Sequence, residues 1–138
     1  MNTEKLVGAL GMASLTVRPG DTCVAANISD LPVISTSALI NLMEIACTAA
    51  LEEFFEPGET SQTVDLQLNY LSGVGVGNEI RAHATCVESV GPLLTFNAEI
   101  NHETRLLASA RVQRKIVDRV SFMARTAAEG MLAEKKTL

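Results

Sequence analysis

The chain is 138 residues long, the length of one domain and enough to close a hydrophobic core, but too short for two. Apolar residues make up 47% of it, with no Trp, one Tyr and four Phe, so the core must be aliphatic. A formal net charge of −5 argues against nucleic acid as the main partner, because phosphate binding needs a basic face.

Residues 6–17 are mildly apolar, but they follow Glu4 and Lys5, contain two glycines and are too short to span a bilayer. Neither a signal peptide nor a membrane segment is expected. Residues 12–28 read as two short strand segments around the corner Pro19-Gly20-Asp21. Asp30 to Pro32 then breaks the pattern.

Residues 35–55 contain no Gly or Pro and are rich in Ala, Leu, Met and Glu, which predicts a long helix. Ser35, Thr36 and Ser37 are candidate N-caps, and Glu56-Pro57-Gly58 marks the end. Apolar residues occupy nearly every side, so the helix is expected to be buried. Ser37, Asn41, Glu44 and Thr48 are the exceptions, and their spacing of four, three and four puts them along one face. Buried charges need a partner or a task, which singles out Glu44.

Four stretches of period two follow, as half-buried antiparallel strands require. In residues 63–70 the apolar side is Val64, Leu66, Leu68 and Tyr70, with Thr63, Asp65, Gln67 and Asn69 opposite. Residues 78–88 present Ile80, Ala82, Ala84 and Cys86, and residues 94–100 present Leu94, Phe96, Ala98 and Ile100. Residues 106–112 present Leu106, Ala108, Ala110 and Val112. The small residues suggest close approach by the helix. Short polar links at residues 89–92 and 101–104 suit hairpins, so the strands after Tyr70 form a meander. The tail, residues 121–138, has a helical pattern. The fold class is therefore α+β, one domain over residues 1–138 with a core of about 11–120, its antiparallel sheet wrapped around a long central helix.

The Gly-rich run of residues 73–77 lacks the following helix that a phosphate-binding turn needs, and reads as a flexible strand connection. His83 and His102 have no nucleophile-like or metal-like neighbour in the sequence and read as solvated surface residues. Cys23, Cys47 and Cys86 form no CxxC pair, which suits a reducing cytoplasm and gives no zinc site. No metal or separate cofactor is expected.

Thr36 and Glu44 lie two turns apart on the helix. A thioester carbonyl at the amino end would meet unpaired amides and the positive end of the helix dipole. Glu44, directly or through water, would then deliver the attack. The alternative is that Thr36 is only a cap and Glu44 only a buried ion-pair partner, and the helix by itself leaves both open.

Thr36, the run Leu42-Met43-Glu44-Ile45-Ala46-Cys47 and the segment Glu56-Pro57-Gly58-Glu59 resemble the fluoroacetyl-CoA thioesterase family and its hotdog relatives, over roughly residues 11–125. The Asp21-Thr22 corner and residues 63–77 are similar to the broader acyl-CoA thioesterase pattern. The resemblance implies a hotdog fold and a homodimer or dimer of dimers with sites at the interface. It implies catalytic roles for Thr36 and Glu44, and an acyl-CoA substrate whose coenzyme A is part of the substrate.

The family's histidine falls on Tyr70 by ungapped alignment, with Asn69 beside it. Proton transfer or substrate orientation would then fall to Tyr70, Asn69 or Glu44, and fluoroacetyl-CoA is not the expected substrate. Arg105, Arg111, Arg114 and Lys115 are the local basic cluster for the coenzyme's phosphates, or else a solvated strand face. The function expected is hydrolysis of a small or medium acyl-CoA. The alternative is a non-catalytic acyl-CoA-binding or sensing protein. A hydratase reading has no recognisable Asp/His pair behind it.

Overall fold

A computed structural model describes residues 3–137. After a 3₁₀ turn at Thr3–Leu6 come β1 (Leu10–Thr16), a 3₁₀ turn at Pro19–Asp21, α1 (Thr36–Leu51) and a 3₁₀ turn at Glu52–Phe54. Then follow β2 (Glu59–Tyr70), β3 (Glu79–Val90), β4 (Leu93–His102), β5 (Arg105–Asp118) and α2 (Arg119–Thr137). The strands form one antiparallel sheet in the order β1-β3-β4-β5-β2. The sheet curls around α1, which is the hotdog arrangement implied by the resemblance.

Ser35 is the N-cap of α1, its Oγ accepting from Ala38 N at 3.1 Å. The helix tightens into the 3₁₀ turn before Phe55, and the chain then reverses at Gly58, whose φ of +86° suits glycine. Leu39, Met43, Ala46, Cys47 and Leu51 are fully buried against Ile80, Leu94, Phe96, Ile100 and Val112. Gly11 in β1 lets that strand cross α1 closely: a Cβ there would overlap Ala46 O and Ala50 N.

Contrary to the expectation from its composition, the helix is not buried on every side. Ser37, Asn41 and Ile45, four residues apart, form an exposed stripe, with Ile45 49% exposed. Small residues let β1 and β3 pack closely on one flank, while β2 leaves the other flank open.

Three strand expectations are corrected. Residues 23–27 form turns rather than a second strand segment, leaving only an isolated bridge between Thr22 and Ile34, because Thr22 Oγ1 donates to Pro19 O and accepts from Ala25 N, winding the chain locally. Val64 is the extra residue of a β-bulge between Thr63 and Asp65 and is exposed. The bulge shifts the phase of β2, so Thr63 faces α1 together with Leu66 and Leu68. A register irregularity between β4 and β5 likewise buries Leu107 where Leu106 was expected. The inner faces of β3 and β4 are as expected, with Ile80, Ala82, Ala84 and Cys86 and with Leu94, Phe96, Ala98 and Ile100 all buried.

The helical tail is present as α2, starting at Arg119 just after Asp118, whose Oδ1 accepts from Ser121 N at 2.9 Å. That hydrogen bond holds the Asp118 carboxyl below its ordinary value. Among the described residues no helix is long and apolar enough to cross a membrane.

Candidate active site

Glu44 sits midway along α1 at the open flank, and two residues, one from β2 and one from β5, converge on it. Thr63 Oγ1 donates to Glu44 Oε2 at 2.7 Å, and Arg114 Nη1 lies 3.7 Å from the same oxygen. The Glu44 side chain is 36% exposed and that of Arg114 only 8%. Among the described residues Glu44 Oε1 accepts no hydrogen bond, so one carboxylate oxygen is anchored and the other is open.

Arg114 is held on every side. Nη1 donates to Thr63 Oγ1 at 2.9 Å, Nε and Nη2 donate to Ser61 Oγ at 3.1 and 2.7 Å, and Nη2 also reaches Ser61 O at 3.2 Å and Thr48 Oγ1 at 3.4 Å. Burial lowers its pKa, opposed by Cys47 and Glu44, yet a guanidinium starts so high that it stays charged. Cys47, fully buried beside this pair, has its thiol pushed up to about 12, chiefly by burial. Glu44 and Thr48, two of the four polar residues on the helix stripe, therefore face a buried cation. Ser37 and Asn41 do not, since both are exposed.

Thr36 is the first helical residue, not the cap. Among the described residues Thr36 N and Ser37 N have no hydrogen-bond acceptor, whereas Ala38 N and Leu39 N are taken by Ser35. Two amides thus point out of the amino end, next to the Thr36 hydroxyl. Eight residues of helix put Glu44 about 12 Å further along the axis.

Tyr70 and Asn69 part company. Tyr70 Oη donates to Ile34 O at 2.8 Å, beside the start of α1. Burial, and to a lesser degree Cys23, raises its phenol above the ordinary value. Asn69, its neighbour in an alternating strand, lies on the outer face of the sheet in a concavity with Gln67, Asn97 and Arg111, remote from Glu44. Asn69 is therefore removed from the candidate site.

The basic cluster is also divided. Arg114 is buried at Glu44, Arg111 is exposed on the outer face, and Arg105 is exposed with Nη1 on Ser72 Oγ and Gly73 O. Strand alternation separates 111 from 114, so the three do not form one phosphate site, and Arg114 is unavailable to a phosphate. His83 and His102 are half-buried and line an outer-face concavity of about 610 Å³ with Arg81 and Glu79, away from α1. No group of His, Cys, Asp or Glu among the described residues is arranged to hold a metal ion.

The sequence reading missed Thr63 and Arg114 as partners of Glu44, and Ser61 as the support of Arg114. For Arg114 a signal existed, since it continues the inward series Ala108, Ala110, Val112.

Residues 17–120 match the family FlK, fluoroacetyl-CoA-specific thioesterase. A structure of the fluoroacetyl-CoA thioesterase FlK is similar at 22% identity and a TM-score of 0.81, covering 88% of this chain and 95% of that one. A thioesterase superfamily member from Thermus thermophilus is similar at 19% identity and a TM-score of 0.85, covering 94% and 96%. A hot-dog-like protein from Thermanaerovibrio acidaminovorans gives 19% and 0.86, covering 94% and 97%. At these identities the structural likeness carries the fold. No curated protein sequence matches the chain.

Proposed function

This chain belongs to the fluoroacetyl-CoA-specific thioesterase family, and from that membership we propose that it hydrolyses a small or medium acyl-CoA with Glu44 as general base. The observation that carries the proposal is the asymmetric anchoring of Glu44: Oε2 is fixed by Thr63 at 2.7 Å, with Arg114 behind it, while Oε1 is open at the helix flank.

The thioester carbonyl lies at the amino end of α1, where Thr36 N, Ser37 N and the Thr36 hydroxyl meet the developing oxyanion. Glu44 Oε1 removes a proton from a water, whose oxygen attacks the carbonyl carbon. The tetrahedral intermediate collapses with cleavage of the C–S bond. The proton held by Glu44 passes to the departing thiolate, giving a free acid and coenzyme A.

Leu39, Met43 and Phe96 fill the interior behind α1, which leaves the acyl group only the open flank and supports a short or medium chain. The same flank supports a homodimer, or a dimer of dimers, with the site at its interface. β2 is a twelve-residue edge strand, and the exposed Ser37, Asn41 and Ile45 lie on the side it leaves uncovered. Arg105 and Arg111 are the remaining candidates for contact with the coenzyme.

A second reading is an acyl-CoA-binding or sensing protein without turnover. It is favoured by one observation: the hydroxyl of Tyr70, the position on which the resemblance places the family's histidine, is committed to Ile34 O. Thiol release from a panel running from acetyl- to phenylacetyl- and medium-chain acyl-CoA separates the two. Release is expected from at least one short or medium member. Thermal stabilisation by acyl-CoA with no release across the panel would favour the binding protein.

A further inference from the structure

The Gly-rich run of residues 73–77 has no part in the chemistry above, yet it is tied to the amino end of α1. Ile34 N donates to Val74 O at 2.9 Å, Tyr70 Oη donates to Ile34 O at 2.8 Å, and Ser35 N donates to Asp21 O at 2.8 Å. The peptide leading into the helix therefore has its polar groups held from both sides, immediately before Ser35 Oγ caps Ala38.

The far side of the run is held as firmly. Arg105 Nη1 donates to Ser72 Oγ at 2.7 Å and to Gly73 O at 3.0 Å, while Leu71 N and Ser72 N both donate to Leu107 O. Gly73 packs beside the phenol: a Cβ at that position would touch Tyr70 Oη at 3.4 Å, an ordinary contact, and crowd Val33 Cγ1 slightly at 3.3 Å.

We propose that Tyr70 is a positioning residue that, with Gly73 and Arg105, clamps the Ile34–Ser35 peptide and so fixes the aim of the Thr36 and Ser37 amides at the substrate carbonyl. This rests on the thioesterase reading and adds to it a role for the position at which this chain departs from its family. Tyr70 moves no proton in the reaction, because its own is donated to Ile34 O. Arg105 acts on the same clamp through the Ser72 hydroxyl and the Gly73 carbonyl, whatever contact its exposed edge makes with the coenzyme.

The test compares the full-length protein with Tyr70→Phe and Gly73→Ala, using the acyl-CoA that the wild type hydrolyses fastest. Tyr70→Phe is expected to lower kcat about ten- to a hundredfold through loss of aim. KM should stay within about twofold, because ground-state binding is untouched. The alkaline limb of the kcat profile should not move, and the amides of Ala38 and Leu39, which bond to Ser35, should exchange faster. Gly73→Ala is expected to lower kcat in the same direction but less, because its Cβ would crowd Val33, next to Ile34, and only touch the Tyr70 hydroxyl.

Loss of the alkaline limb in Tyr70→Phe would make Tyr70 an acid–base group and overturn the proposal. Unchanged kcat alongside faster exchange would overturn it too, since the clamp would then serve stability alone. If the wild type hydrolysed no thioester, the thioesterase reading would fail separately. Exchange at Ala38 and Leu39 would then decide the clamp, with unchanged rates in Tyr70→Phe counting against it.

Discussion

Thr63 Oγ1 links Glu44 to Arg114, donating to the carboxylate at 2.7 Å and accepting from the guanidinium at 2.9 Å. A hydroxyl can do both at once, and no other side chain of that size can. Thr63→Val keeps the shape and removes the link. It should lower kcat about tenfold or more, as Glu44 loses its fixed orientation. It should also lower stability by about 1–2 kcal/mol, as Arg114 loses an acceptor. Steady-state kinetics and urea unfolding of the same variant read the two effects.

Arg114→Ala should be more damaging to the fold than any exposed arginine substitution. It leaves Ser61, Thr48 and Thr63 without their donor and Glu44 without a nearby cation, at a cost of about 3 kcal/mol. Arg114→Lys restores the charge but not the three-nitrogen geometry, so it should recover part of the stability and little of the activity. Urea midpoints for wild type and the two variants check the order. Equal midpoints for Arg114→Ala and Arg111→Ala would contradict it.

The cysteines give a prediction in pH. Cys23, Cys47 and Cys86 are all buried, and the Cys47 thiol is raised from 9.0 to about 12. The folded protein at pH 8 should therefore react slowly with a thiol reagent, and the unfolded chain should react at all three. Because the folded value lies above the unfolded one, the contribution of Cys47 to stability is complete below pH 9.0 and is lost as the pH rises toward about 12. Thiol titration with and without denaturant tests the first part, and unfolding midpoints on either side of pH 9.0 test the second.

Much of this architecture was legible because period and composition agreed. The helix, the inner faces of β3 and β4 and the hairpins between β3, β4 and β5 all follow from local pattern. So did the selection of Glu44, as a charge on a mainly apolar helix. What failed did so at bulges and at side-chain-to-backbone hydrogen bonds. The bulge at Val64 turns Thr63 toward Glu44, and no alternation rule foresees it. The Thr22 hydroxyl bonds replaced a strand segment with turns. Tyr70 and Asn69 stood as alternatives, and strand alternation puts them on opposite faces, with Tyr70 at the start of α1 and Asn69 on the outer face. Arg114 was grouped with Arg105 and Arg111 by nearness in sequence, when its parity with Val112 already pointed inward.

The most direct measurement is the rate of thiol release by Glu44→Gln against wild type, on whichever acyl-CoA the wild type hydrolyses. The amide oxygen can still accept from Thr63, so the fold should hold and the unfolding curve should be nearly unchanged. Turnover should fall on the order of 10²–10⁴-fold, because an amide cannot take the proton from water. Undiminished release by folded Glu44→Gln would contradict the role of Glu44 as general base and, with it, the mechanism proposed for this site.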